Sequence, residues 1–212
     1  MKLKAAVWNM DHKLKNWRVL GDTENLRDAD LVLLCEATPP PADYTARSLG
    51  HGSTEGLETA LGSERPVKRP WSTAVTSRRP LELISDARVD RHYRERLPFE
   101  PSRAGTWVAC TAYINGVDVT AVALYGLMDE KSDASVHRSL SEMSPLFDHP
   151  TYGNRLILGG DLNILSNPRP TDPARDRHLA VLARIKAYGL EDCLQTALPH
   201  RSAEERKVVS QS

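Results

Sequence analysis

Six short apolar runs constrain this chain most: residues 3–8, 30–35, 73–76, 107–113, 117–124 and 156–158, rich in Val, Leu, Ile and Ala and parted by turns holding Pro, Gly, Asp and Asn. Runs of that length fit strands better than helices, and several are apolar on both alternating faces, which predicts cover on both sides of a sheet. Asn115-Gly116 separates two of the runs and supplies the positive φ angles that a two-residue hairpin turn needs, so antiparallel pairing is expected there. Two longer stretches have helical spacing instead. Residues 135–147 set Val136, Leu140, Met143 and Phe147 on one face, and residues 176–188 do so with Leu179, Leu182, Ala183 and Ile185. The chain therefore reads as α/β, with amphipathic helices covering sheets. Residues 38–70, dense in Pro, Gly, Ser and Thr, predict loops with one short helix.

A length of 212 residues with 40% hydrophobic and 26% charged content is that of one globular domain, expected over residues 1–200 and followed by a polar, disordered tail at 201–212. The 28 Lys and Arg balance the 28 Asp and Glu, so no whole-molecule field gathers polyanions, and any steering must be local. The local excess lies at residues 65–103, where ten basic residues face five acidic ones. It is either a rim that guides an anionic substrate or a solvated edge. The three cysteines, Cys35, Cys110 and Cys193, stand in apolar runs at irregular spacing and read as reduced core residues, not as a disulfide framework or a zinc site. No run is long enough for a membrane helix, and the N-terminal apolar stretch is too short and interrupted for a signal peptide, so a cytoplasmic location is expected.

Four of the apolar runs end in a residue that no core requires: AAVWN at Asn9, DLVLLCE at Glu36, VTAVALY at Tyr125 and LILGGD at Asp161, with Asn163 two positions further on. Strand ends are where sheet-based folds gather ligand groups, so these five side chains are expected to meet at one rim. Carboxylate and carboxamide oxygens are what a hard cation such as Mg2+ prefers. Singly, each residue also fits a plain structural role. Glu36 and Asp161 would serve as caps, Asn9 and Asn163 as turn residues, and Tyr125 as a core residue with a satisfied hydroxyl. Gly159-Gly160 ahead of Asp161-Leu162-Asn163 strengthens the functional reading, because two glycines let the backbone turn sharply and present two polar side chains together. Trp8, Trp17 and Trp71 read either as core and loop packing or as platforms for bases.

In order along the chain, WNM with Asn9, LLCEA with Glu36, STAVTSR, ALYG with Tyr125 and GGDLN with Asp161 and Asn163 resemble the endonuclease/exonuclease/phosphatase superfamily of metal-dependent phosphoesterases. The resemblance runs over residues 3–193. It implies a four-layered α/β/β/α sandwich of mixed, largely antiparallel sheets, and Mg2+-dependent hydrolysis of a phosphate ester, in nucleic acid or in a small or lipid molecule, with Mn2+ as a substitute ion. By the same resemblance Asn9 and Glu36 hold or position the metal, Asp161 orients or deprotonates the attacking water, Asn163 fixes the phosphate and Asp161, and Tyr125 donates to a phosphate oxygen.

The family's late Ser-Asp-His motif has no counterpart after Asn163. Asp11-His12 and Asp148-His149 stand in the wrong places along the chain to replace it, and His178 and His200 are expected at the surface. By the resemblance the chain stops about 40–70 residues short of a usual domain of this kind, leaving the second sheet incomplete. Weak turnover is then expected, with a catalytically inactive anion- or nucleic-acid-binding module as the alternative.

Overall fold

The computed structural model describes residues 2–44, 46–49, 72–87, 99–128 and 131–197. Seven of the ten basic residues at 65–103, most of the Pro- and Gly-rich segment, Trp71, His200 and the 201–212 tail lie outside the described residues. Contacts gather the chain into two compact units, Met1–Asn163 and Ile164–Ser212.

The first unit holds two four-stranded mixed sheets. One has the order β1 (Ala5–Asn9), β2 (Leu31–Ala37), β4 (Ser72–Ser77), β3 (Arg47–Leu49), and the other β5 (Leu81–Leu83), β6 (Trp107–Ile114), β7 (Val117–Tyr125), β8 (Leu156–Asp161). The pairs β1–β2 and β7–β8 are parallel, and the other four are antiparallel. All six expected strands are present. The short strands β3 and β5 are additions, and β3 replaces loop in the segment at 38–70 because it gains the hydrogen-bonding edge of β4. The Asn115-Gly116 hairpin forms as expected, with Ile114 paired to Val117 and φ angles of 52° and 87° at the two turn residues.

Alternation along the strands builds the layers. Leu31, Leu33 and Val75 of the first sheet meet Val108, Cys110, Val119, Ala121 and Ala123 of the second in one buried core. Each fully buried aliphatic side chain there contributes about 1.5–3 kcal/mol relative to exposure. The opposite face of β2, Val32 and Leu34, packs with Trp17 and Leu20 of α1 (Asn16–Asp22), which is followed by the single turn α2 (Glu24–Arg27). Trp17 is thus core, its indole donating to the Thr38 carbonyl (3.1 Å), and Trp8 is partly buried against the same cluster.

On the far side α3 (Ser132–Glu142) lies along β7, with Val136 and Leu140 buried. The expected single helix at 135–147 is divided. Met143 closes α3, and α4 (Ser144–Phe147) restarts with Pro145 in its first turn, where a missing N–H costs nothing.

In the second unit α5 (Arg175–Ala187) forms where a helix is predicted and ends ahead of Gly189, whose φ is 79°. Its buried residues, however, are His178 and Val181, with Leu179, Leu182 and Ile185 partly buried and Ala183 exposed. His178 on α5 is buried, not on the surface, and its Nδ1 accepts a hydrogen bond from the Leu165 amide (3.2 Å). Cys193, at the start of α6 (Cys193–Ala197), is exposed and is no core residue, whereas Cys35 and Cys110 are buried. No helix among the described residues is long and apolar enough to cross a membrane.

Candidate active site

The five strand-end residues come from both sheets of the first unit. Asn9 ends β1, Glu36 is the sixth residue of β2, Tyr125 ends β7, Asp161 ends β8 beside Tyr125 in register, and Asn163 follows two residues later. Glu36 owes its direction to a β-bulge. Leu34 pairs with Ala74 and Ala37 with Ser72, so β2 carries one residue more than β4 over that span, and Glu36 takes a left-handed φ of 51°. A bulge re-aims a side chain that strict alternation would send elsewhere.

The two glycines before Asp161 act differently from the turn expected of them, because β8 runs straight through both. A Cβ at Gly159 would lie 2.6 Å from Val7 Cγ2 and 2.7 Å from Leu33 Cδ1, side chains of the opposite sheet. At Gly160, φ is 152° and a Cβ would meet the Leu124 carbonyl oxygen at 1.8 Å. Gly159 therefore lets the two sheets approach closely where their polar ends meet, and Gly160 lets β8 pass close to the backbone of β7 in its own sheet.

One amide joins the two carboxylates. Asn9 Nδ2 donates to Glu36 Oε1 (3.2 Å) and to Asp161 Oδ2 (2.9 Å), while Asn9 Oδ1 accepts from the Asp11 amide (2.9 Å). Tyr125 donates its hydroxyl hydrogen to Glu36 Oε1 (3.0 Å). The second oxygen of Asp161, Oδ1, accepts from the Asn163 backbone N–H (3.0 Å), and Asn163 Nδ2 donates to the Gly126 carbonyl (2.8 Å). Burial, then the adjacent Glu36 charge, raises the Tyr125 pKa well above the ordinary phenol value, with the Asn163 amide opposing, so the hydroxyl stays protonated and keeps its hydrogen to donate.

Two contributors escaped the sequence reading. The first is Cys35, whose thiol lies between the sheets, Sγ donating to the Leu124 carbonyl (3.4 Å) and accepting from the Asp161 amide (3.1 Å). Burial pushes its pKa up to about 12, so it acts as a neutral bridge beneath the site. Nothing in the sequence separates it from any other cysteine in an apolar run.

The second is the Asp11-His12 pair, which the sequence reading set aside as misplaced. The chain doubles back after Asn9, both residues taking left-handed φ angles (47° and 44°), and the Met10 and His12 amides donate to the Cys35 (2.8 Å) and Glu36 (3.0 Å) carbonyls. His12 Nδ1 then stands 2.9 Å from Glu36 Oε2. Asp11, His12 and Glu36 each offer one ligand atom, all within 4.8 Å of one another. Lys13 pairs with Asp11 and lowers its pKa. His149, by contrast, stacks on Tyr152 and accepts from the Thr151 amide (3.1 Å), a local turn contact.

No family model and no curated protein matches the sequence. Solved structures do match it. The endonuclease domain of TRAS1, a telomere-specific non-LTR retrotransposon, aligns with a TM-score of 0.55 at 16% identity, over 90% of this chain and 72% of that one. D. rerio TDP2 complexed with single strand DNA product aligns with a TM-score of 0.48 at 13% identity, over 94% and 71% of the two chains. An endonuclease/exonuclease/phosphatase family protein from Bacteroides thetaiotaomicron gives 0.46 at 13% identity, over 84% and 68%. With two mixed sheets packed on each other, helices outside them and the polar strand ends at one rim, this chain has the endonuclease/exonuclease/phosphatase fold.

Proposed function

We propose that this chain hydrolyses a phosphate ester with the help of a divalent cation, Mg2+ or in its place Mn2+, using a water activated by Asp161. The observation that carries the reading is the Asn9 amide, which holds a carboxylate from each sheet, Glu36 and Asp161, through one nitrogen. Two carboxylates converging in a partly buried place, with hydroxyl and amide donors as their main company, are a donor set suited to a hard cation. Glu36 would hold the ion, and Asn9 would set the spacing between the carboxylates. When bound, the cation supplies positive charge beside the phosphate oxygens, where negative charge grows during in-line attack.

The remaining work falls to side chains. Asp161 is oriented at both oxygens, by the Asn9 amide and the Asn163 N–H, and each oxygen keeps a further lone pair with which to take a proton from water. Tyr125, held protonated by burial and by Glu36, is a donor for a phosphate oxygen if it exchanges its present acceptor for the substrate. Nucleic acid is the first substrate to test, since the fold is shared with an endonuclease domain.

The test is Mg2+-stimulated cleavage of supercoiled plasmid and of an aryl phosphodiester. Asp161→Ala is expected to lower the rate about 10²- to 10⁴-fold. An unmutated chain inert on both substrates with Mg2+ and with Mn2+ overturns the hydrolytic reading. A second reading, an inactive module that binds phosphate or nucleic acid, is favoured by the placement of the imidazoles, His12 being bonded to Glu36 and His178 to the Leu165 amide. Its signature is binding that weakens with salt and leaves the strand intact.

A further inference from the structure

We infer that His12 makes the cation centre a mixed nitrogen–oxygen site that prefers a first-row transition ion to Mg2+. The inference rests on the metal-assisted reading above and adds a selectivity that the strand-end residues alone would not give.

The geometry is that of a chelate built from the turn after β1 and the bulge of β2. Ligand atoms that share one such ion stand about 2.0–2.2 Å from it, so no two are more than about 4.4 Å apart. The Asp11, His12 and Glu36 atoms lie within 4.8 Å of one another, a few tenths of an ångström from that limit before any ion draws them in. His12 cannot drift far from Glu36. Its amide is tied to the Glu36 carbonyl (3.0 Å), while its Nδ1 faces Glu36 Oε2 (2.9 Å) and its Nε2 faces Asp11 Oδ1 (3.6 Å). Lys13 occupies the other Asp11 oxygen, Oδ2. The imidazole is about half exposed, so an ion can enter from solvent without unpacking the core.

Donor chemistry then decides the preference. Mg2+ gives up its water reluctantly and gains little from imidazole, whereas Co2+ and its neighbours gain from each nitrogen that replaces an oxygen. A site with oxygen donors alone would bind the two ions with a smaller difference.

Calorimetry of the full chain with Co2+ and with Mg2+, together with pulsed electron paramagnetic resonance of the Mn2+-loaded chain, tests this. His12→Asn keeps a residue that tolerates the left-handed backbone and offers oxygen where the imidazole offered nitrogen. The unmutated chain is expected to bind Co2+ at least about tenfold more tightly than Mg2+ and to show a directly coordinated nitrogen at Mn2+. In His12→Asn the nitrogen signal should vanish and the Co2+ preference should fall severalfold, with Mg2+ affinity little changed. Ion binding that is lost in Glu36→Gln but shows no nitrogen coupling, and the same Co2+ to Mg2+ ratio in His12→Asn, overturns the inference and leaves the metal-assisted reading standing. Absence of any Glu36-dependent binding of Mg2+, Mn2+ or Co2+ overturns both.

Discussion

At the scale of single residues, function and packing make opposite demands on polar groups. The oxygens of Glu36 and Asp161 accept from Asn9, Tyr125 and the Asn163 backbone within one small cluster, while the Cys35 thiol ties that cluster's two sheets together. Burial raises the Cys35 and Cys110 thiols from an ordinary 9.0 to about 12. The neutral thiol is the favoured form in the folded chain, so this contribution to stability is complete below pH 9 and is lost as pH rises towards 12. A chemical-denaturation series from pH 8 upwards should therefore show falling stability, and under native conditions at pH 8 a thiol reagent should titrate Cys193 quickly and the two buried cysteines only on unfolding. Thr73 makes a different point. It is fully buried, and its Oγ1 has no hydrogen-bond partner among the described residues. A methyl group of the same shape avoids that desolvation penalty, so Thr73→Val should raise unfolding free energy by up to about 1 kcal/mol in urea titration, and a loss instead would reveal an acceptor for the hydroxyl.

Among the elements, the strands were legible because their signal is local. Short apolar runs between turn residues, and one Asn-Gly pair, are enough to indicate six strands and a hairpin. What failed needed neighbours. The strand β3 exists because β4 offers an edge, and the bulge that turns Glu36 into the site is a mismatch between two strands that neither records alone. Gly159 shows the same dependence from the other side, since its lack of a side chain matters only through Val7 and Leu33 across the sandwich. Gly159→Ala should cost about 1–3 kcal/mol by overpacking. Adding Val7→Ala should recover part of that loss, a coupling that a double-mutant cycle measures and that additive costs would refute.

For the molecule as a whole, the central consequence is linkage between the two sheets and the proposed ion. Glu36 and Asn9 belong to one sheet and Asp161 and Tyr125 to the other, so a cation held there binds the folded arrangement and not the open chain. Saturating Mg2+ at about 100 times its dissociation constant should add about 2.7 kcal/mol and raise the melting temperature, and Glu36→Gln should abolish the rise. The sequence by itself determined the α/β class, six of the eight strands along the chain and the five polar residues at or just beyond strand ends, because strand periodicity and turn chemistry are properties of neighbouring residues. Only the tertiary structure decided that an amide from one sheet would bridge carboxylates from both, that His12 would return to Glu36 and that His178 would be buried. The first two outcomes depend on register, on a bulge and on the close approach of two sheets, which are relations between residues as far apart as Asn9 and Asp161.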